Sequence, residues 1–294
     1  MGWHATCIHL YNRPMLDEAS LRSRLPVGEF GDPLYFFESI GSTNDQAEEL
    51  ARQGAPHGTL VVADAQTAGR GRGGSTWLTP PGSALAISLV LRLTGLAPER
   101  AWGLNVLGAL AILDGLEPEG VRAQIKWPND VLAGGRKLAG ILAEATWQGG
   151  RLDHAVLGLG VNVGPEAVPG PGVVDFPATC VEEVAGRAID LAGLLLGILG
   201  GLDRWLPRIG SPAMLDAWDR SLAFRGDEVE VEHARGAIRG RLHGLAPDGQ
   251  LILWDRDGRQ IVVEAGAWRL RPVAAQGPGT AAGGRRNSKE ASDV

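Results

Sequence analysis

Two short stretches of the chain hold side chains suited to anion chemistry. Gly69-Arg70-Gly71-Arg72-Gly73-Gly74, followed closely by Trp77, mounts two guanidiniums on a run of glycines. Lys126-Trp127-Pro128-Asn129-Asp130 places an ammonium at the end of an apolar run. A guanidinium offers a planar fork of donors to a carboxylate or phosphate, and an ammonium offers a compact charge. Together they suit chemistry on a nucleotide, in which charge develops at a phosphorus centre.

Lysine usage sharpens this. Of 28 basic residues only Lys126, Lys137 and Lys289 are lysine, and Lys289 lies in a tail rich in Gly, Ala and charge. A chain so biased towards arginine keeps lysine almost only around residues 126–137, where a guanidinium is expected not to serve. Lys126 beside Trp127-Pro128 is costly unless solvated or paired, and Asp130 is the nearest candidate partner. Lys137 follows a tight turn and is expected to tolerate arginine better.

The Gly-Arg loop formally matches Gly-x-Gly-x-x-Gly, the dinucleotide fingerprint. That fingerprint needs a helix straight after the glycines, and Pro80-Pro81 follow instead. With no large apolar side chain between Thr67 and Thr76, the loop is expected to depend on anionic ligands for its order. Closing over a ligand would also exclude water from a hydrolysable intermediate. Trp77 is open between core packing and stacking on a base. Gly160 and Asn162 end a strand without bulk, which fits either a ligand near the backbone or a closely packed helix.

Composition narrows the class. The 294 residues suit one large domain or a large and a small one. The net charge of −6 disfavours a general electrostatic hold on nucleic acid. Cys7 and Cys180 are far apart and form no CxxC pattern, as expected of a cytoplasmic protein. The apolar run 191–202 is too short for a bilayer span, and the N-terminus lacks signal-peptide order. The six histidines show no metal-ligand spacing, so no protein-bound metal is expected. Neither a Gly-x-Ser-x-Gly elbow nor a Gly-Lys-Ser/Thr phosphate loop is present.

The elements that must position these residues follow from periodicity. Ser42-Thr43-Asn44 opens a helix, Thr43 with Gln46 resembles a capping box, and Gly54 can end it. Strands are expected at 59–65, which runs into the Gly-Arg loop, and at 84–91. A helix fits 102–116 and a strand 122–127; two strands at 131–133 and 138–146 flank Gly134-Gly135, and another spans 154–163. A Pro/Gly loop covers 165–177, with helices at 187–209 and 212–220. From 225 onward the helical period vanishes, and short strands at 228–233, 236–245, 251–254, 261–264 and 268–270 read as a small β-barrel. The expected organisation is an extension (1–33) with little periodicity, a main domain (34–221), a small domain (222–272) and a disordered tail (273–294).

In order along the chain these elements resemble biotin protein ligases. The likeness rests on Ser42-Thr43-Asn44, Gln66-Thr67, Gly69-Arg70-Gly71-Arg72, Trp77, Lys126-Trp127-Pro128-Asn129-Asp130, Lys137-Leu138-Ala139-Gly140-Ile141-Leu142 and Gly158-Leu159-Gly160-Val161-Asn162. It covers about residues 34 to 271. The resemblance implies an α/β (α+β) fold with a mixed sheet like that of class II aminoacyl-tRNA synthetases, and a C-terminal barrel of the Src-homology-3 type. It implies catalysis by Lys126, Arg72 and Arg70, and a biotin pocket of Ser42, Thr43, Asn44, Gln66, Gly69, Arg70, Arg72, Lys126, Gly140 and Gly160. Arg72, Trp77, Lys126 and Asn162 would meet ATP. The implied reaction forms biotinyl-5′-AMP from biotin and ATP with magnesium, then transfers biotin to a lysine of the biotin carboxyl carrier domain of a carboxylase.

Two departures from the family stand out. Gly73 and Ser75 occupy positions where many relatives have arginine, which bears on adenylate retention and on a homodimer contact through the loop. About forty residues precede Ser42, without the two-helix pattern of a DNA-binding domain, so no operator binding is expected. The alternatives are a lipoate or octanoate ligase, whose loop usually reads Arg-Arg-Gly-Gly-Gly, a biotinyl-AMP-sensing transcriptional regulator, and a non-catalytic nucleotide-binding module.

Overall fold

The computed structural model describes residues 16–25, 28–170, 176–233, 236–263 and 269–273. Cys7, Lys289 and the tail beyond residue 273 lie outside them, so the expectation of a disordered tail is not addressed.

Seven strands form one mixed sheet: β1 (Leu34–Ile40), β2 (Leu60–Gln66), β3 (Ala84–Leu91), β4 (Gln124–Lys126), β5 (Asp130–Ala133), β6 (Arg136–Gln148) and β7 (Arg151–Asn162). Their spatial order is β1-β2-β3-β7-β6-β5-β4, with β1 parallel to β2 and the other pairs antiparallel. Gly134 and Gly135, at φ 55° and 73°, make the expected tight turn between β5 and β6. Strand β3 is buried along its whole length because helices cover both faces of the sheet. On one face, α2 (Thr43–Arg52) lays Ala47, Leu50 and Ala51 against Val61, Val90 and Val156. On the other, α3 (Trp102–Leu116) and α5 (Leu191–Trp205) pack over Leu85, Ile87, Leu89, Leu157 and Leu159. The alternation of β3 therefore turns Ser88 towards α2, a placement the binding site uses.

Several elements depart from the sequence reading. Strand β1 has no clean apolar alternation, and pairing with β2 makes it a strand. Helix α1 (Glu18–Arg24), capped by Asp17, lies in a stretch that shows little periodicity, yet Leu21 is fully buried in the core. Helix α4 (Val181–Ala185) is too short to show a period. The helix expected from residue 187 begins at Leu191, because the Asp190 side chain accepts the Ala192 N–H and caps it there. The Ser42 side chain makes no cap bond to α2; Gln66 Oε1 from β2 accepts the Thr43 N–H at 2.8 Å, and Thr43 Oγ1 is turned to the same oxygen at 3.2 Å instead of making the expected capping box.

Helix α6 (Pro212–Arg220) leads to the second, five-stranded antiparallel sheet: β8 (Glu228–His233), β9 (Gly236–Leu245), β10 (Leu251–Trp254), β11 (Gln260–Val263) and β12 (Arg269–Pro272). Its order is β11-β10-β9-β8-β12. The two sheets are joined where Trp127 Nε1 donates to Gly249 O at 3.1 Å, beside Trp102 of α3 and Trp218 of α6, which stack on each other. The residues after α6 also extend the edge of the large sheet, with Ile125 N donating to Ser221 O and Ala223 N to Ile125 O.

Helices α3 and α5 approach closely through small residues. A Cβ on Gly201 would lie 2.7 Å from Ala111 Cα and 2.9 Å from its carbonyl oxygen. Backbone cannot yield there as a flexible side chain would, so Gly201→Val is expected to cost about 2–3 kcal/mol by overpacking. Urea unfolding monitored by tryptophan fluorescence measures it; an unchanged midpoint would contradict this packing.

Candidate active site

The C-terminal end of β2, the N-terminal end of α2, the Gly-Arg loop and the middle of β6 and β7 enclose one cavity. Ser42, Thr43, Asn44, Gln66, Arg70, Arg72, Trp77, Gly140 and Gly160 all line it, so most of the residues singled out in the sequence come together. Gly140 and Gly160 are partners in adjacent strands, which leaves a flat backbone floor. The Trp77 indole lies across that floor: a Cβ on Gly160 would be 2.5 Å from the ring, and one on Gly140 3.1 Å. The free space beside it is about 50 Å³, well below a typical ligand pocket. Trp77 Nε1 is buried and has no hydrogen-bond partner among the described residues.

A chain of polar contacts builds the neutral end. Gln66 Nε2 donates to Thr79 Oγ1, and Gln66 Oε1 accepts from Thr43 N at 2.8 Å and Thr43 Oγ1. Ser88 Oγ lies 2.9 Å from Thr43 Oγ1 and 2.7 Å from Asn44 Oδ1. Asn44 Nδ2 donates to Leu142 O and Glu144 Oε2. Asn44 sits so close to β7 that a Cβ on Gly158 would be 1.9 Å from its Oδ1. Gly158, from the motif at 158–162, lines the cavity, whereas Ser88 and Glu144 stand behind the lining on Asn44; these two escaped the residue-by-residue reading, because only the folded sheet carries them to α2.

The charged end is organised by one carboxylate. Asp130 is buried and receives Lys126 Nζ on Oδ2 at 2.8 Å and Lys137 Nζ on Oδ1 at 2.6 Å. Burial pushes the Asp130 carboxyl up, but the two ammoniums outweigh burial and hold it below its ordinary range. Lys126 also sits 4.5 Å from the centre of the Phe176 ring, and Lys137 5.4 Å from that of Trp77. Lys137, expected to matter less, lines the cavity, whereas Lys126 stands behind Asp130. Arg72 donates to Asn129 Oδ1 at 3.1 Å, and no described carboxylate forms an ion pair with it. Burial lowers its pKa, partly offset by Asp130.

Three expected site residues stand apart from the cavity lining. Besides Lys126, Gly69 lies behind Trp77, where a Cβ would meet the Trp77 carbonyl oxygen at 2.4 Å. Asn162 donates to Thr179 O at 3.1 Å. Polar contacts run through the loop where large apolar side chains are missing. Gly71 N donates to Ser75 O and Trp77 N to Gly69 O, and Arg70 is held by carboxylates, so polar contacts supply the order that apolar burial cannot.

Asp130→Asn would leave two ammoniums without their carboxylate, and a loss of about 3–5 kcal/mol is expected. The sign with pH follows from the lowered folded-state pKa. The stabilisation is fully present above the unfolded-state value of about 3.9 and is lost as pH falls through the folded-state value. Urea titrations should show the gap between wild type and Asp130→Asn narrowing only below about pH 4. A constant gap would show that the charge is not what stabilises.

The chain is similar to known proteins along most of its length. The profile of the Biotin/lipoate A/B protein ligase family matches residues 36–162. The bifunctional ligase/repressor BirA of Bacillus spizizenii is 32% identical over 255 residues, covering 85% of this chain and 78% of its own. The biotin–[acetyl-CoA-carboxylase] ligase of Mycobacterium tuberculosis is 36% identical over 267 residues, covering 86% and 95%. The structure of biotin protein ligase from Aquifex aeolicus in complex with biotin and ATP superimposes with a TM-score of 0.68 at 27% identity, covering 82% of this chain and 99% of that one. With the sequence motifs gathered around one cavity and relatives of this similarity along most of its length, the chain belongs to the biotin protein ligases of the Biotin/lipoate A/B protein ligase family.

Proposed function

We propose that the chain joins biotin to a protein lysine in two steps through the cavity just described. The observation that carries the reading is a neutral hydrogen-bonding wall set against a cluster of cations. Ser42, Thr43, Asn44 and Gln66 line one cavity with Arg72, Lys137 and the Gly140–Gly160 floor, and Lys126 pairs with Asp130 beside it. Ser42, Thr43, Asn44, Gln66, Gly69 and Arg70 hold the uncharged body of biotin. Arg72 and Lys126 take its carboxylate and the α-phosphate of ATP. Gly140 and Gly160 allow ligand atoms against the backbone. Trp77 and Asn162 belong to the nucleotide side, with the unpaired Nε1–H of Trp77 available as a donor.

In the first step a biotin carboxylate oxygen attacks the α-phosphorus, the bond to pyrophosphate breaks, and biotinyl-5′-AMP forms. Three cations, of which Asp130 neutralises one, stabilise charge on the non-bridging oxygens. Magnesium enters with ATP as part of that substrate. In the second step the unprotonated Nζ of an acceptor lysine attacks the acyl carbon and AMP leaves. The amine proton goes to solvent. The acceptor is the biotin carboxyl carrier domain of acetyl-CoA carboxylase or a related carboxylase.

The finer architecture belongs to the same reading. Residues 34–221 form a catalytic domain related to class II aminoacyl-tRNA synthetases, and 222–272 a barrel of the Src-homology-3 type. The reaction proceeds in the cytoplasm without sequence-specific DNA binding, for which the net charge of −6 is unfavourable. Among the described residues no helix is long and apolar enough to cross a membrane.

Two outcomes test the reading. Pyrophosphate release from ATP should require biotin, and lipoate or octanoate should not replace it; release with lipoate alone would assign the chain to the other branch of the family. Lys126→Arg should slow single-turnover formation of biotinyl-5′-AMP by about 10²–10³-fold, as removal of one oxyanion donor does elsewhere. Its melting temperature should fall by no more than overpacking explains, with the fold intact. The ammonium is boxed by Asp130 and Phe176 and its side chain is 10% exposed, so a wider guanidinium displaces its neighbours. Lys137, with a 29% exposed side chain, has more room and should lose less. Near-normal adenylation by Lys126→Arg would remove that lysine from the reaction.

A further inference from the structure

We propose that Glu144 is a positioning residue for the ligase reaction. With Asp45 it grips Arg70, pins the 69–77 loop over the cavity, and leaves Arg72 to hold the anionic intermediate. The inference rests on the ligase reading above.

Two arginines separated by one glycine have unlike surroundings. Arg70 Nη1 donates to Glu144 Oε1 at 2.9 Å, and Nη2 to Glu144 Oε2 at 2.7 Å. Asp45 Oδ1 lies 2.9 Å from the same Nη2. Three contacts of this kind occupy the fork, so Arg70 cannot also present it bidentately to a ligand carboxylate or phosphate. Among the described residues Arg72 has only the neutral Asn129 oxygen as a hydrogen-bond partner. The first arginine therefore fastens the loop, and the second remains for the ligand's charge.

Glu144 reaches both walls of the cavity. Its Oε2 also accepts from Asn44 Nδ2 at 2.9 Å, and Asn44 opens α2 beside Thr43. One carboxylate on β6 thus ties the loop to the helix N-terminus that forms the neutral wall. The loop needs such a tie because its residues 68–75 carry no large apolar side chain to anchor it. Both partners of the Arg70–Glu144 pair are more than a third exposed. An isolated pair there would count for little, but bidentate geometry with a third charge and an amide in the network is the exception.

The chemical consequence is retention. The mixed anhydride must stay shielded from water until the acceptor lysine arrives. A loop that is fastened opens less often, so loss of Glu144 should accelerate release of biotinyl-5′-AMP more than it slows its formation.

Glu144→Gln keeps the shape and one acceptor and removes the charge. Biotinyl-5′-AMP is formed in situ on the full chain from radiolabelled biotin and ATP, and its release is followed in a chase of unlabelled biotin. Release is expected to be at least tenfold faster than from wild type, with adenylation within about threefold and an unchanged melting temperature. Asp45→Asn, at an exposed position, should accelerate release in the same direction but less. Because the latch is partly solvent-exposed, rising salt should speed release from wild type and affect Glu144→Gln less. Release within twofold of wild type from both variants would overturn the assignment of Glu144 while leaving the ligase reading intact. No biotinyl-5′-AMP from wild type would instead overturn the ligase reading itself.

Discussion

Concentrating positive charge around one cavity is the constraint on which the rest of this structure depends. Arg72, Lys126 and Lys137 repel one another and lose hydration on burial, and each effect opposes folding. Asp130 answers both by taking one ammonium on each oxygen, so two lysines eleven residues apart share one buried counter-ion. It sits at the start of β5, where the Lys126↔Asp130 pairing of β4 with β5 and the Asp130↔Gly140 pairing of β5 with β6 place it between them. The cluster keeps a surplus of positive charge for an anionic ligand at the cost of a fold that depends on one carboxylate.

The remaining wall follows from sheet register. Gly140 faces Gly160, and Leu142 faces Gly158, on the long β6–β7 ladder. The first pair makes room for a ring, at present the indole of Trp77; the second makes room for the Asn44 amide. A slip of one residue would bring side chains to both places, since alternate residues face opposite sides. Buried strand β3 contributes Ser88 to the same polar chain, so three strands and one helix meet in a continuous run from Thr79 to Arg70.

Much of the fold was legible because its signals are local. The helix at 102–116, the strand at 84–91 and the five short C-terminal strands lie within a few residues of where periodicity and turn residues put them. The ends that shifted did so for side-chain reasons, as at Asp190, or because a partner strand decides them, as at β1. The apolar poverty of the loop was legible, but not its tie to Glu144, an ion-pair partner 74 residues away.

The sequence by itself determined the chemistry on offer: which residues carry charge, where lysine was kept in preference to arginine, and where glycine clears the backbone. It also ordered those residues well enough to reveal the family. Only the tertiary structure decided how the charges are shared. Arg70 and Arg72 are indistinguishable in a Gly-Arg-Gly-Arg string, and they differ because Glu144 and Asp45 reach one and not the other. Lys137 looks peripheral after its turn, yet β5–β6 pairing brings it to Asp130 and the cavity. The physical reason is range: periodicity and turn propensity act over a few residues, whereas a salt bridge or a desolvated donor is fixed by whatever the packed sheets bring within 3 Å or so of it.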